Sequence, residues 1–138
     1  LWRTDTLDLS FGEFDNLDTT KIEEVEFKLV TENATPVSTT LQMYFLDDAG
    51  VAIDSLFSGG EQLVIRSAPI NSEGVANGIT RTEHFVPMTA ARFERVRTAT
   101  KAFLKTAFTT AQDGNIPVKL LATDKTTVKM GLKVRTRL

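Results

Sequence analysis

The chain has 138 residues, of which 41% are apolar and 25% charged, with a net charge of −2 and no cysteine. That is one domain's length, with enough apolar residues to close a core and too balanced a charge for a disordered tail. A disulfide framework, a thiolate metal site and a cysteine nucleophile are excluded, as is any site built on two imidazoles, and no apolar run approaches the length of a membrane-spanning helix.

Alternation of apolar and polar residues dominates the chain, and a period of two marks half-buried strands. Strands are predicted over 5–11, 22–32, 37–46, 51–57, 62–68, 75–82, 101–110, 116–123 and 127–137. Leu7, Leu9 and Phe11 share the first core face. A brief turn is expected near Asn16, Leu17 and Asp18. Val25, Phe27 and Leu29 then face one way, with Glu24, Glu26 and Lys28 facing the other. Asn33 tolerates unusual backbone angles and Pro36 locks φ, so this pair reads as a rigid crossover. Leu41, Met43 and Phe45 point to the core, which leaves Gln42 on the wet face and Tyr44 either on that face or in a second apolar layer.

Asp47-Asp48-Ala49-Gly50 reads as a tight hairpin with Gly50 at positive φ, and Gln112-Asp113-Gly114-Asn115 reads the same way. Ser58-Gly59-Gly60 and Asn71-Ser72-Glu73-Gly74 are looser loops. One short helix is predicted over 89–98, capped by Thr89, with Phe93 and Val96 inward and Arg92, Arg95 and Arg97 in solvent. Finally Val128, Met130, Leu132 and Val134 alternate with Lys129, Gly131, Lys133 and Arg135. Strands at this spacing, with turns between, predict an all-β fold: a two-sheet antiparallel immunoglobulin-like sandwich, one domain spanning 1–138, with a hydrocarbon interior.

Charge is split along the chain. Residues 1–69 carry 4 Lys/Arg and 13 Asp/Glu, and residues 70–138 carry 12 Lys/Arg and 5 Asp/Glu. The basic residues alternate with apolar ones, so the split predicts an acidic strand, bearing Glu24 and Glu26, beside a basic strand bearing Lys129, Lys133 and Arg135. No nucleic-acid partner is expected: the sequence pI is about 5.4, and Phe93, Phe103 and Phe108 fall at core positions rather than on a stacking platform.

Residues 22–57 run from an acidic-apolar strand through Asn33-Ala34-Thr35-Pro36 to Leu41-Gln42-Met43-Tyr44-Phe45 and the hairpin Asp47-Asp48-Ala49-Gly50, with Asp54-Ser55-Leu56 beyond it. This pattern resembles the strand–Asn-x-x-Pro–strand opening of late-embryogenesis-abundant type 2-like domains. More closely, it resembles a C-terminal sandwich domain of uncharacterised exported proteins and lipoproteins of Bacteroidetes-type bacteria. The resemblance implies an immunoglobulin-like sandwich on a bacterial cell-envelope protein, with no catalytic residues to carry over. The chain begins at Leu1 rather than Met, and is expected to be a C-terminal fragment of a longer exported protein, with any lipid anchor upstream.

Sites of chemistry are few. His84 would need Glu83 or another carboxylate as partner to act as a base, and no Gly-x-Ser-x-Gly elbow supplies a nucleophile. Asp47, Asp48 and Asp54 offer carboxylates for a calcium ion, or simply bond to turn amides. Asn33-Ala34-Thr35 matches a glycosylation acceptor, with Pro36 directly after it. No catalytic residue, metal or cofactor is expected. The predicted function is a non-catalytic adhesion or assembly module meeting other protein domains or cell-surface components. The alternative is a glycan- or small-ligand-binding module using Tyr44.

Overall fold

The computed structural model describes the chain apart from residues 1, 12–13, 15, 61, 111–116, 120, 122 and 138, and apart from the side chains of 2, 3, 5, 7, 63, 64 and 110. The described residues form eight strands: β1 (Trp2–Asp8), β2 (Ile22–Asn33), β3 (Val37–Leu46), β4 (Ala52–Ser55), β5 (Gln62–Ile65), β6 (Thr80–Met88), β7 (Lys101–Thr110) and β8 (Thr126–Thr136). A 3-10 turn at Thr19–Lys21 follows Asp18, whose carboxylate accepts from the Thr20 amide. The α-helix, α1 (Ala90–Val96), is capped by the Thr89 hydroxyl.

Two antiparallel sheets pack face to face. The larger runs β1-β7-β3-β4, with β5 also pairing β3, and the smaller runs β6-β2-β8. Residues directly opposite in an antiparallel pair share a face. Val25, Phe27 and Leu29 of β2 therefore face inward with Val134, Leu132 and Met130 of β8 and with Met88, Val86 and His84 of β6. Opposing them are Leu41, Met43 and Phe45 of β3. The rings of Phe27 and Phe45 lie 5.9 Å apart and place β2 over β3. Helix α1 closes one end: Phe93 is fully buried and takes edge contacts from Phe11 and Phe14 at 6.1 and 5.9 Å. Each buried Leu or Phe of this kind contributes about 1.5–3 kcal/mol, so the layered core dominates stability.

The all-β two-sheet sandwich with one short helix is therefore present, and β2, β3 and β7 match their predicted spans closely. The acidic and basic strands are neighbours: Glu24 lies opposite Arg135 with an ion pair of 3.1 Å, and Glu26 lies opposite Lys133. The Asp47–Gly50 hairpin joins β3 to β4 with Gly50 at φ 79°. The Gln112–Asn115 turn lies outside the described residues.

Five expectations need correction. Instead of a strand over 75–82, Val75 and Ala76 make isolated bridges and the strand begins at Thr80, running on through Pro87. Proline is tolerated there because β6 is a sheet edge. Instead of a strand over 116–123, the described part of that segment makes one isolated parallel bridge, Lys119 to Val75. Gly74 explains the close approach: it adopts φ 78°, and a Cβ there would meet the Pro117 carbonyl oxygen at 2.7 Å.

The interior is also not plain hydrocarbon, since Thr31, Asn33, Thr35 and Thr39 are buried. Gln42 is buried as well, against expectation: its Nε2 donates to the Phe57 carbonyl at 2.7 Å and its Oε1 accepts from the Phe57 amide at 3.1 Å, pinning the β4–β5 connection against β3. Lastly, the helix arginines are not all solvated. Arg92 donates twice to Asp54 and once to the Ser55 carbonyl, while Arg97 donates to the carbonyls of Phe14 and Leu17. A planar guanidinium satisfies several fixed acceptors at once, which makes these side chains tethers.

Candidate functional site

Asn33 sits where three loops converge, and its amide is fully used. Nδ2 donates to the carbonyls of Val37 (2.8 Å) and Arg66 (2.9 Å), and Oδ1 accepts from the Thr35 amide and the Thr126 hydroxyl (2.9 Å each). A side chain buried and bonded in this way serves the fold and is closed to glycan attachment.

The three aspartates point to different tasks. Asp47 accepts from the amides of Ala49 and Val51, Asp48 accepts from the Thr100 hydroxyl, and Asp54 is clamped by Arg92 at 3.0 Å and Arg95 at 3.1 Å. The hydrogen bond from Arg92 holds the Asp54 carboxyl below the usual range. Among the described residues no three His, Cys, Asp or Glu side chains gather to hold a metal ion.

His84 lies in the middle of β6 rather than near a strand end, opposite Leu29 and facing inward. Its Nε2 is buried without a hydrogen-bond partner, and burial, followed by the charge of Arg66, pushes its pKa down. Glu83, one residue earlier on an alternating strand, faces outward instead, with Arg81 at 2.8 Å and Lys28 at 3.6 Å. A cavity of about 330 Å³ beside His84 is lined by Leu56, Phe57, Ser58, Gln62, Val86 and Arg92 among others, with no carboxylate among the described lining residues. Among the described residues, no carboxylate is placed to pair with His84.

Tyr44 projects from the outer face of the larger sheet, opposite Phe103, and the two rings pack at 6.2 Å with a 43° tilt. The tyrosine is half-buried, its ring engaged by a neighbour rather than standing free as a sugar platform.

The free edge of β8 is different. This 11-residue strand pairs with β2 on one side and, among the described residues, is a sheet edge on the other. Its apolar residues face inward as the alternation requires, yet Val128 is 49% and Met130 40% exposed, while Leu132 and Val134 are half-buried. β6 packs against β5 and β2 lies over β3. The smaller sheet then supplies no strand to face β1 among the described residues. On the outer face Lys129 and Lys133 have no ion-pair partner among the described residues, whereas Arg135 reaches Glu24. Sequence reasoning placed the β8 alternation in a closed core, because a period of two reports which face a residue takes and not whether that face is covered.

No protein-family model and no curated protein sequence matches the chain. Among solved structures, a chain from the "Structure of infectious bursal disease virus Gx strain" is similar, with a TM-score of 0.44 and 12% identity over 97% of this chain and 26% of that one. This chain thus spans about a quarter of that chain's length, and the likeness is too slight to bear on function.

Proposed function

We propose that this domain is a non-catalytic interaction module that meets other protein domains through its sheet edges. The carrying observation is the β8 edge: its side away from β2 has no strand partner among the described residues, and its inward-facing Val128 and Met130 are exposed. Unpaired edge amides and carbonyls are a template for another strand, and exposed apolar residues beside them add area to bury. A place on the envelope of a bacterium, as an exported and lipid-anchored protein, belongs to the same reading and is supported by the sequence resemblance over residues 22–57.

Site-specific photo-crosslinking in the source cell tests it. A crosslinker at position 128 is expected to capture a discrete protein partner, and one at the outer-face position 44 is not. Absence of adducts from any sheet edge would remove the interaction role. A small molecule retained at Tyr44 would favour the ligand-binding alternative.

A further inference from the structure

We infer that the free edge of β8 takes an extended segment of another protein in which acidic and apolar residues alternate, added as a fourth strand to the smaller sheet. This rests on the reading of the domain as an interaction module and names the partner's chemistry. An added strand obeys the same face rule as a native one, so its residues alternate between the two faces of β8. On the inner face it meets Val128, Met130, Leu132 and Val134, two of them exposed, and apolar side chains there would bury that strip. On the outer face it meets Lys129 and Lys133, both without an ion-pair partner among the described residues. Acidic side chains opposite them would repeat what β2 does on the other side of β8, where Glu24 and Glu26 lie opposite Arg135 and Lys133.

A second copy of this chain is a poorer occupant. Two β8 edges brought together would set one Lys/Arg row against another, and like charges directly opposite are destabilising. The lysines on the edge thus discourage self-pairing while they favour an acidic partner. The larger sheet adds a reason for a fourth strand: it extends to β1, for which the smaller sheet supplies no facing strand among the described residues.

Peptides of 11 residues, the length of β8, provide the probe. One alternates Glu with Val, one alternates Lys with Val, and one carries the first composition in scrambled order. Fluorescence anisotropy is expected to show binding of the Glu–Val peptide alone, weakening as salt rises. Amide exchange is expected to slow in β8 and not in β1 or β6. Lys129→Glu, which lies opposite Val30 and disturbs no native ion pair, is expected to weaken the Glu–Val peptide about fivefold and to bring up the Lys–Val peptide. Met130→Ser, half exposed and tolerant, reads the apolar side independently and is expected to weaken binding without changing charge preference.

Equal binding of all three peptides, protection on another edge, or β8-mediated self-association in sedimentation would each overturn the inference. If the crosslinker at position 128 captures a partner while the Glu–Val peptide fails, this partner chemistry is wrong and the interaction role stands. If neither reports, both fall.

Discussion

Two inward-facing polar residues carry consequences out of proportion to their size. Asn33 presents two donors to two carbonyls and one oxygen to two donors, so its amide is matched on both sides. Asn33→Asp keeps the shape and replaces the donors with an acceptor aimed at the carbonyls of Val37 and Arg66. The cost is expected to be about 2–3 kcal/mol or more at neutral pH, since an unsatisfied buried group costs about 1–3 kcal/mol and this one would be charged. The carboxyl's folded pKa would be raised, so the loss should shrink as pH falls and the group regains a proton to donate. Equal destabilisation at pH 4 and pH 7 in urea unfolding would refute the assignment.

His84 titrates in the opposite sense. Burial and Arg66 hold its folded pKa below 6.5, so above 6.5 it is neutral in both states and costs nothing. As pH falls below 6.5 the unfolded chain takes up a proton that the folded chain resists, and stability declines toward the folded pKa. His84→Leu should abolish this decline. The carboxylates of Asp54 and Glu83, lowered from 3.8 and 4.5, begin to lose their contribution only as pH falls toward those values, whereas the histidine decline opens at 6.5. A variant whose melting temperature follows the parent's across the histidine window would show that His84 is not responsible.

At the scale of elements, α1 is too short to persist alone and is held by its contacts. Phe93 and Val96 anchor it in the core, and Arg92 ties it to β4 through Asp54 and the Ser55 carbonyl. Arg95 reaches the same carboxylate from a far more exposed position. Charge-assisted bonds in a half-buried setting are worth about 1.5–3 kcal/mol, whereas exposed pairs contribute about 0.2–1 kcal/mol. Arg92→Ala should therefore cost several times what Arg95→Ala costs in denaturant midpoint, and equal losses would mean that the tether is not Arg92. The same logic ranks the β2–β8 ion pairs as weak, since Arg135 and Glu24 are both largely exposed. They select the neighbour and its register more than they stabilise it.

Across the whole molecule, β2 and β3 occupy the middle of their sheets and bring Phe27 and Phe45 together, while β1, β6 and β8 are edges. Most pairings join segments far apart in the chain: β7 inserts between β1 and β3, and β8 returns to β2. Such long-range pairing predicts folding in about milliseconds to seconds rather than microseconds. It also predicts a gradient of amide exchange, slowest in β2 and β3 and fastest along the free edge of β8. Uniform protection across the smaller sheet would contradict the exposed edge.

Much of this architecture was legible in residue order alone. Period-two alternation identified β2, β3 and β7 and the inward faces of Val25, Phe27, Leu41 and Phe45, because strand geometry sends successive side chains to opposite sides whatever the fold. The charge split even foretold that β8 would lie against β2, and Asp47 with Gly50 marked their turn through local backbone preference.

What the sequence left open was decided by distance in space. Gln42 and Arg92 look like solvated residues until the loops they hold are brought beside them. His84 has no local signal for its buried Nε2, which lies beside residues such as Phe57 far along the chain. Val128 and Met130 carry the same alternation as the core strands, yet they stay exposed. Face is a property of the local chain, whereas coverage is a property of what the rest of the molecule places opposite.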